Sequence, residues 1–142
     1  MTQHVLLDSN VIVDFVLKRP GFVENANRIF EIVETKILVG CISSSAVTDV
    51  YYIVENKTNP NYAWEMVEYL YQTLLILPVV RETIRTALDS NMKDFEDAVQ
   101  AAAAQNFDID TVVTRDKKGF HNSGLQVYSP EEFLNMLKSM RI

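Results

Sequence analysis

The chain has 142 residues, a length that fits one domain, and 48% of them are hydrophobic, enough for a real core. Thirteen Lys and Arg against nineteen Asp and Glu give a formal net charge of −6, which excludes broad binding of nucleic acid through a basic face but not local contact through a cation and a few basic residues. A lone cysteine excludes an internal disulfide framework, no apolar run approaches the roughly 18 residues of a membrane span, and Met1-Thr2-Gln3-His4 lacks the positive start of a secretory signal, so a cytoplasmic protein with no membrane partner is expected.

A first strand is expected at about His4 to Leu7, an apolar run that ends in Asp8. A helix follows from near Ser9, with Val11, Ile12, Phe15 and Val16 on one face, and Pro20-Gly21 breaks it. A second helix, Phe22 to about Thr35, repeats Ala26, Ile29, Phe30 and Val33 at helical spacing. The second strand is Lys36 to Ile42, whose apolar run makes Cys41 a buried structural thiol. Ser43-Ser44-Ser45 offers hydroxyl caps for a third helix that turns Ala46, Val47, Val50, Ile53 and Val54 inward. Asn59-Pro60-Asn61 opens a fourth helix to about Gln72. Its Tyr62, Trp64, Tyr69 and Tyr71 read either as core packing or as a dimer or partner groove.

The third strand is Leu75 to Val79, and a short helix covers Arg81 to Leu88. Asp89-Ser90-Asn91 precedes a helix from Lys93 to Asn106, and the fourth strand is Thr111 to Thr114. A loop with Gly119 and Gly124 leads to a last strand, Leu125 to Tyr128. Ser129-Pro130-Glu131-Glu132 is a capping box with proline at the first helical position, and it starts a terminal helix, Glu131 to Met140. Strands alternating with helices predict an α/β fold over residues 1–142, with a parallel sheet flanked by helices.

Four aspartates stand at the edges of different α/β units: Asp8, Asp49, Asp97 and Asp116. A parallel sheet brings such residues together at the carboxyl ends of its strands, where ligands bind. Converging carboxylates repel one another unless they are protonated or bridged by a cation, so the pattern suggests a divalent-metal site and phosphodiester chemistry. Each acid also has a plainer reading. Asp8 suits a helix cap, Asp49 suits the dipole of a helix amino end, and Asp116 suits a turn. The stretch Asp94-Phe95-Glu96-Asp97-Ala98 is the most specific: Asp94 and Asp97 share a helix face, and Ala101 and Ala104 let that helix approach the sheet closely. Asn10 and Thr114 are candidates to orient a water or a carboxylate, and Arg115, Lys117 and Lys118 are candidates for phosphate contact or for solvated loop charge. No Ser-His-Asp or Cys-His set and no phosphate-cradling glycine loop is legible.

The four acidic segments, the Ser44 to Val54 stretch and the ending Tyr128-Ser129-Pro130-Glu131-Glu132-Phe133-Leu134 together resemble the PIN domain, in its bacterial branch that includes VapC-type toxins. The resemblance covers essentially the whole chain. It implies a single three-layer domain whose five-stranded parallel sheet runs in the order 3-2-1-4-5, with Asp8 and Asp116 at the ends of adjoining strands. It further implies a Mg2+- or Mn2+-dependent ribonuclease, with Asp8, Asp97 and Asp116 on the metal, Asp49 direct or through water, and Asn10, Asp94 and Thr114 supporting them. RNA is the implied substrate and an antitoxin protein the implied partner. The chain departs from the family at two places: Asp49 stands where many relatives carry Glu, and Gly119 precedes Phe120 where many carry an acid. Two other classes stay open: a PIN-like interaction module without catalysis, and a phosphatase on a similar sheet, against which Asn10 counts.

Overall fold

A computed structural model describes residues 3–140. Five strands form one parallel sheet: β1 (Gln3–Leu7), β2 (Leu38–Ser43), β3 (Leu75–Leu77), β4 (Thr111–Val113) and β5 (Gln126–Tyr128), in the order β3-β2-β1-β4-β5. The helices are α1 (Ser9–Val16), α2 (Val23–Glu34), α3 (Ser44–Lys57), α4 (Pro60–Thr73), α5 (Arg81–Asp89), α6 (Phe95–Gln105) and α7 (Pro130–Ser139), with a 3-10 turn at Lys117–Phe120. The expected α/β fold and strand order are those observed.

Strand side chains alternate between two cores. Val5 and Leu7 of β1 enter one with Ile29 of α2, Val50 of α3, Leu70 of α4 and Phe133 of α7. Leu6, with Cys41 and Val112, enters the other against Ala101, Ala103 and Ala104 of α6. Helices on both faces explain why the strands are near-continuous apolar runs. Cys41 is buried there, and burial pushes its thiol up to about 12, so it is inert structure. No helix among the described residues is long and apolar enough to cross a membrane.

Caps fix the element boundaries. Ser43 Oγ accepts from the Ala46 amide at 3.3 Å, and Asn59 Oδ1 accepts from that of Tyr62 at 2.9 Å. Ser129 and Glu132 form the reciprocal capping box. Most boundaries fall within one residue of expectation, and three shift by two. β2 begins at Leu38 because Lys36 takes a left-handed conformation (φ 65°) that ends α2. β3 stops at Leu77, since Pro78 has no amide to extend the ladder and the Val79 amide donates to Ser44 Oγ at 3.1 Å. α6 begins at Phe95 rather than Lys93 because Asp94 is its cap. The aromatics of α4 divide: Tyr62 donates to the Val16 carbonyl and Tyr69 to Glu34, whereas Trp64 and Tyr71 face solvent.

Candidate functional site

β1 and β4 are neighbours in the sheet, and the chain leaves both at the same edge. Asp8, directly after β1, is extended and heads α1, yet its side chain makes no capping bond to that helix. It is 5% exposed and accepts instead from Thr114 Oγ1 at 2.7 Å, with Ser9 Oγ at 3.4 Å on its other oxygen. Burial pushes the Asp8 carboxyl above the usual range, while hydrogen bonds from Thr114, Gln100 and Ser9 pull it back. Helix capping, the plainer reading of Asp8, is therefore not what its side chain does.

Thr114 is the hub of this edge. Its hydroxyl donates to Asp8 and accepts from the Asp116 amide at 2.9 Å and from Asn10 Nδ2 at 3.4 Å, which uses its full capacity. Asn10 Oδ1 accepts from the Arg115 amide at 3.3 Å. Asn10 and Thr114 thus tie the segment after β4 to the start of α1.

Asp97 arrives from α6. The alanines facing the sheet bring the helix close: Ala103 and Ala104 are wholly buried and Ala101 nearly so. Asp94 Oδ1 accepts from the Asp97 amide at 2.9 Å, so Asp94 is the cap that sets where the first turn lies. The Asp97 carboxyl is half-buried and raised to about 7, first by desolvation and then by the charges of Asp8, Asp94, Asp116 and Glu96. Asp116, exposed at the start of the 3-10 turn, accepts from the Gly119 amide at 3.2 Å. A Cβ on Gly119 would fall 2.5 Å from Asp97 Oδ2 and 2.8 Å from Asp116 Oδ2. The glycine therefore clears the space that these two carboxylates share.

Asp49 is placed apart. It lies half-buried on α3, across a groove from Glu96, whose carboxyl it raises more than any other group does. The structure thus gathers Asp8, Asp97 and Asp116, with Asp94 beside them, and leaves Asp49 on the far side of the first turn of α6. The basic candidates also separate. The Arg115 guanidinium makes a bidentate pair with Asp14, at 2.6 and 3.1 Å, and lies 3.9 Å over the Phe22 ring. These contacts tie the segment after β4 to α1 and to the residue before α2. Lys117 pairs with Glu132 at 3.0 Å. Lys118 makes no ion pair among the described residues and lines a pocket of about 420 Å³ with Lys93, Asn91, His121, Asp94 and Asp116.

Three residues join the site that the sequence does not single out. Asp14 is 1% exposed and receives Arg115 and, at 3.5 Å, Arg19. Its signal is an acid on an otherwise apolar helix beginning Val11-Ile12-Val13. Gln100, 5% exposed, helps hold the Asp8 charge. Its signal is a single polar residue inside the alanine run, three places after Asp97. Lys93, expected only to start a helix, instead lines the pocket beside Asp116.

Among the described residues, no group of three or more His, Cys, Asp or Glu side chains is gathered tightly enough to hold a metal ion as it stands. The donor set nonetheless fits one. It consists of hard carboxylate oxygens, and the Asp97 carboxyl is raised by burial and by the charges of Asp8, Asp94, Asp116 and Glu96.

The profile described as the PIN domain matches residues 4–118. No curated protein sequence matches the chain. Among solved structures, VapBC2 from Rickettsia felis, bound to a DNA fragment from its promoter, superposes with a TM-score of 0.71 at 15% identity, over 89% of this chain and 98% of that one. DNA-bound VapBC from Salmonella typhimurium gives 0.69 at 18% identity, over 92% and 99%. VapC20 of Mycobacterium tuberculosis, described as a Sarcin-Ricin loop cleaving toxin, gives 0.62 at 13% identity, over 76% and 86%.

Proposed function

The chain belongs to the PIN domain family, and on that premise we propose that it is a divalent-metal-dependent endoribonuclease, the toxin of a toxin–antitoxin pair. The observation that carries the reading is the convergence on Asp97, whose carboxyl is raised to about 7 by burial and by three neighbouring aspartates and Glu96. Carboxyls crowded at one edge of a parallel sheet, with Asp97 perturbed, support a cation site.

Asp8, Asp97 and Asp116 are the residues that would hold Mg2+ or Mn2+. The cation would supply a stronger water nucleophile at neutral pH and offset charge on the phosphate. The remaining roles belong to the chain's own groups. Thr114 fixes the Asp8 carboxylate, and Asn10 fixes the backbone at Arg115, one residue before Asp116. Asp94 sets the first turn of α6 and so the height of Asp97. Asp49 acts across the groove, directly or through water. Lys118 and Lys93 are the cations that would meet a backbone phosphate next to Asp116, since Arg115 is committed to Asp14 and Lys117 to Glu132. The structural neighbours include VapBC complexes, which supports an antitoxin as the protein partner. The exposed Tyr52, Trp64 and Tyr71 of α3 and α4 are proposed as the face it covers, or as the face of a homodimer.

The test is cleavage of single-stranded and structured RNAs with Mg2+, with Mn2+ and with chelator, for the parent and for Asp97→Asn. Metal-dependent cleavage abolished by the amide supports the proposal. Absence of cleavage in every metal, with the fold intact, leaves an interaction module instead.

A further inference from the structure

Between α3 and α6 runs a groove of about 330 Å³, lined by Phe95, Glu96 and Gln100 from α6 and by Thr48 and Asp49 from α3, over an apolar floor that includes Val79. The volume lies within the roughly 300–1,000 Å³ of ligand pockets. Three features of this groove bear on what it would hold.

Gln100 is 5% exposed, yet its Oε1 has no hydrogen-bond partner, although its side chain also helps hold Asp8. A buried acceptor left unsatisfied is rare and points to an absent donor. Phe95 is 53% exposed at the first helical residue, a large apolar ring at the lip of the groove. The third feature is the polarity of the wall. The Asp49 and Glu96 carboxylates only accept, the Thr48 hydroxyl spends its proton on the Ser45 carbonyl at 3.1 Å, and the Ser45 hydroxyl bonds to Ser43 Oγ at 3.1 Å. The groove thus wants a flat ligand with an apolar face and donors along one edge. Two carboxylates repel a phosphate from it.

We infer that this groove receives a nucleobase of the RNA strand next to the cleaved phosphate and selects guanine. Guanine presents N1–H and its exocyclic amine side by side, a pair of parallel donors that matches the two oxygens of a carboxylate. The amine of adenine or cytosine has an acceptor beside it, and the imide of uracil lies between two carbonyls, so each would face the acceptor-rich wall with a lone pair. Phe95 supplies the stacking face, as aromatics do for splayed bases of single-stranded RNA. Gln100 touches both the groove and Asp8, so a seated guanine would lie next to the carboxylate cluster. The inference rests on the ribonuclease reading above and adds the base that the site reads.

The test uses the whole chain and four fluorescent RNA hexamers, each five uridines with guanosine, adenosine, cytidine or uridine at one central position. Affinities are measured in chelator, where no cleavage occurs. The guanosine hexamer should bind about tenfold more tightly than the other three. Inosine in its place, which lacks the exocyclic amine, should lose most of the gain, and Phe95→Ala should weaken binding of all four hexamers. Equal affinity for all four hexamers overturns the inference, as does a guanosine-hexamer affinity that Phe95→Ala leaves unchanged. Shifts of Phe95 resonances with an arginine-containing peptide but not with the guanosine hexamer also overturn it, and assign the groove to a protein partner. Cleavage with Mn2+ separates the two readings. If all hexamers are cut alike, the nuclease stands and guanine selection falls. If none is cut while the guanosine preference persists, the groove stands and the nuclease falls.

Discussion

Thr114 and Asp8, 106 residues apart in the chain, are joined by a hydrogen bond of 2.7 Å between hydroxyl and carboxylate. The bond ties the exit of β1 to the exit of β4 and gives a buried acid one of the few donors within its reach. Thr114→Val keeps the shape and removes the donor. Hydrogen bonds to charged groups contribute about 1.5–3 kcal/mol, so this variant should lose roughly 2 kcal/mol in urea unfolding. Its Asp8 carboxyl should titrate above that of the parent in a carboxyl NMR titration. Thr114→Ser should recover most of both.

Asp97 predicts the pH dependence of the metal-free protein. Its folded pKa of about 7 lies above the ordinary value of 3.8. A carboxyl raised by folding favours the folded state when protonated, so this contribution is full below 3.8 and is lost as pH rises through 7. Melting temperature in chelator should fall between pH 5 and pH 8. Asp97→Asn should flatten that fall and melt above the parent at pH 8. A variant that melts lower than the parent across the whole range would contradict the assignment.

Metal should act in the opposite sense along the same axis. Protons and cations compete for the carboxylates, so millimolar Mg2+ or Mn2+ should raise the melting temperature more at pH 8 than at pH 5. Asp8→Asn and Asp116→Asn should each reduce the rise. A rise of equal size in the parent and both variants would place the cation elsewhere.

Gly119→Ala tests the space shared by Asp97 and Asp116. The added methyl would meet both carboxylates at under 3 Å. The carboxylates must move apart, and a displacement of that order costs about 100-fold in rate. RNA cleavage should drop accordingly, with the circular dichroism spectrum unchanged.

The basic residues should separate by role. Asp14 is almost wholly buried and the Arg115 side chain is 28% exposed, so removing Arg115 leaves a buried carboxylate whose remaining ion pair is with Arg19 at 3.5 Å. Arg115→Ala should therefore unfold at lower urea, with little change in the salt dependence of RNA binding. Replacing Lys93 and Lys118 with Ala should do the reverse: unchanged stability, and a salt slope shallower by roughly 0.7 for each phosphate that is no longer neutralised. Equal salt slopes in all three proteins would move the substrate to another face.

The fold was legible because period and punctuation agreed. Apolar runs such as Val5-Leu6-Leu7 and Thr111-Val112-Val113, set between amphipathic helices, specify a parallel sheet with little room for alternatives. Boundaries slipped where one backbone angle or one side-chain bond decided them, as at Lys36 and at Asp94. The acids of the candidate site were visible as residue types. What each side chain does was not, because it depends on interactions between distant segments. Arg115 stands beside Asp116 in sequence and points to Asp14 in space. Asp49 matches Asp97 as an acid on a helix, yet it faces Glu96 across a groove. Gln100 reads as a helix former until its burial shows an acceptor with no donor.

The tie between β1 and β4 also bears on how the protein is made. Asp8 leaves the ribosome well before Asp97, Thr114 and Asp116. Strand β4 carries Thr114 to its place beside Asp8, and it is itself held on its other edge by β5, near the carboxyl end. A nascent chain that stops short of these residues has the first aspartate and no companions for it. If the carboxylates cut RNA, the order of translation keeps that ability from the growing chain until Thr114 and Asp116 have emerged.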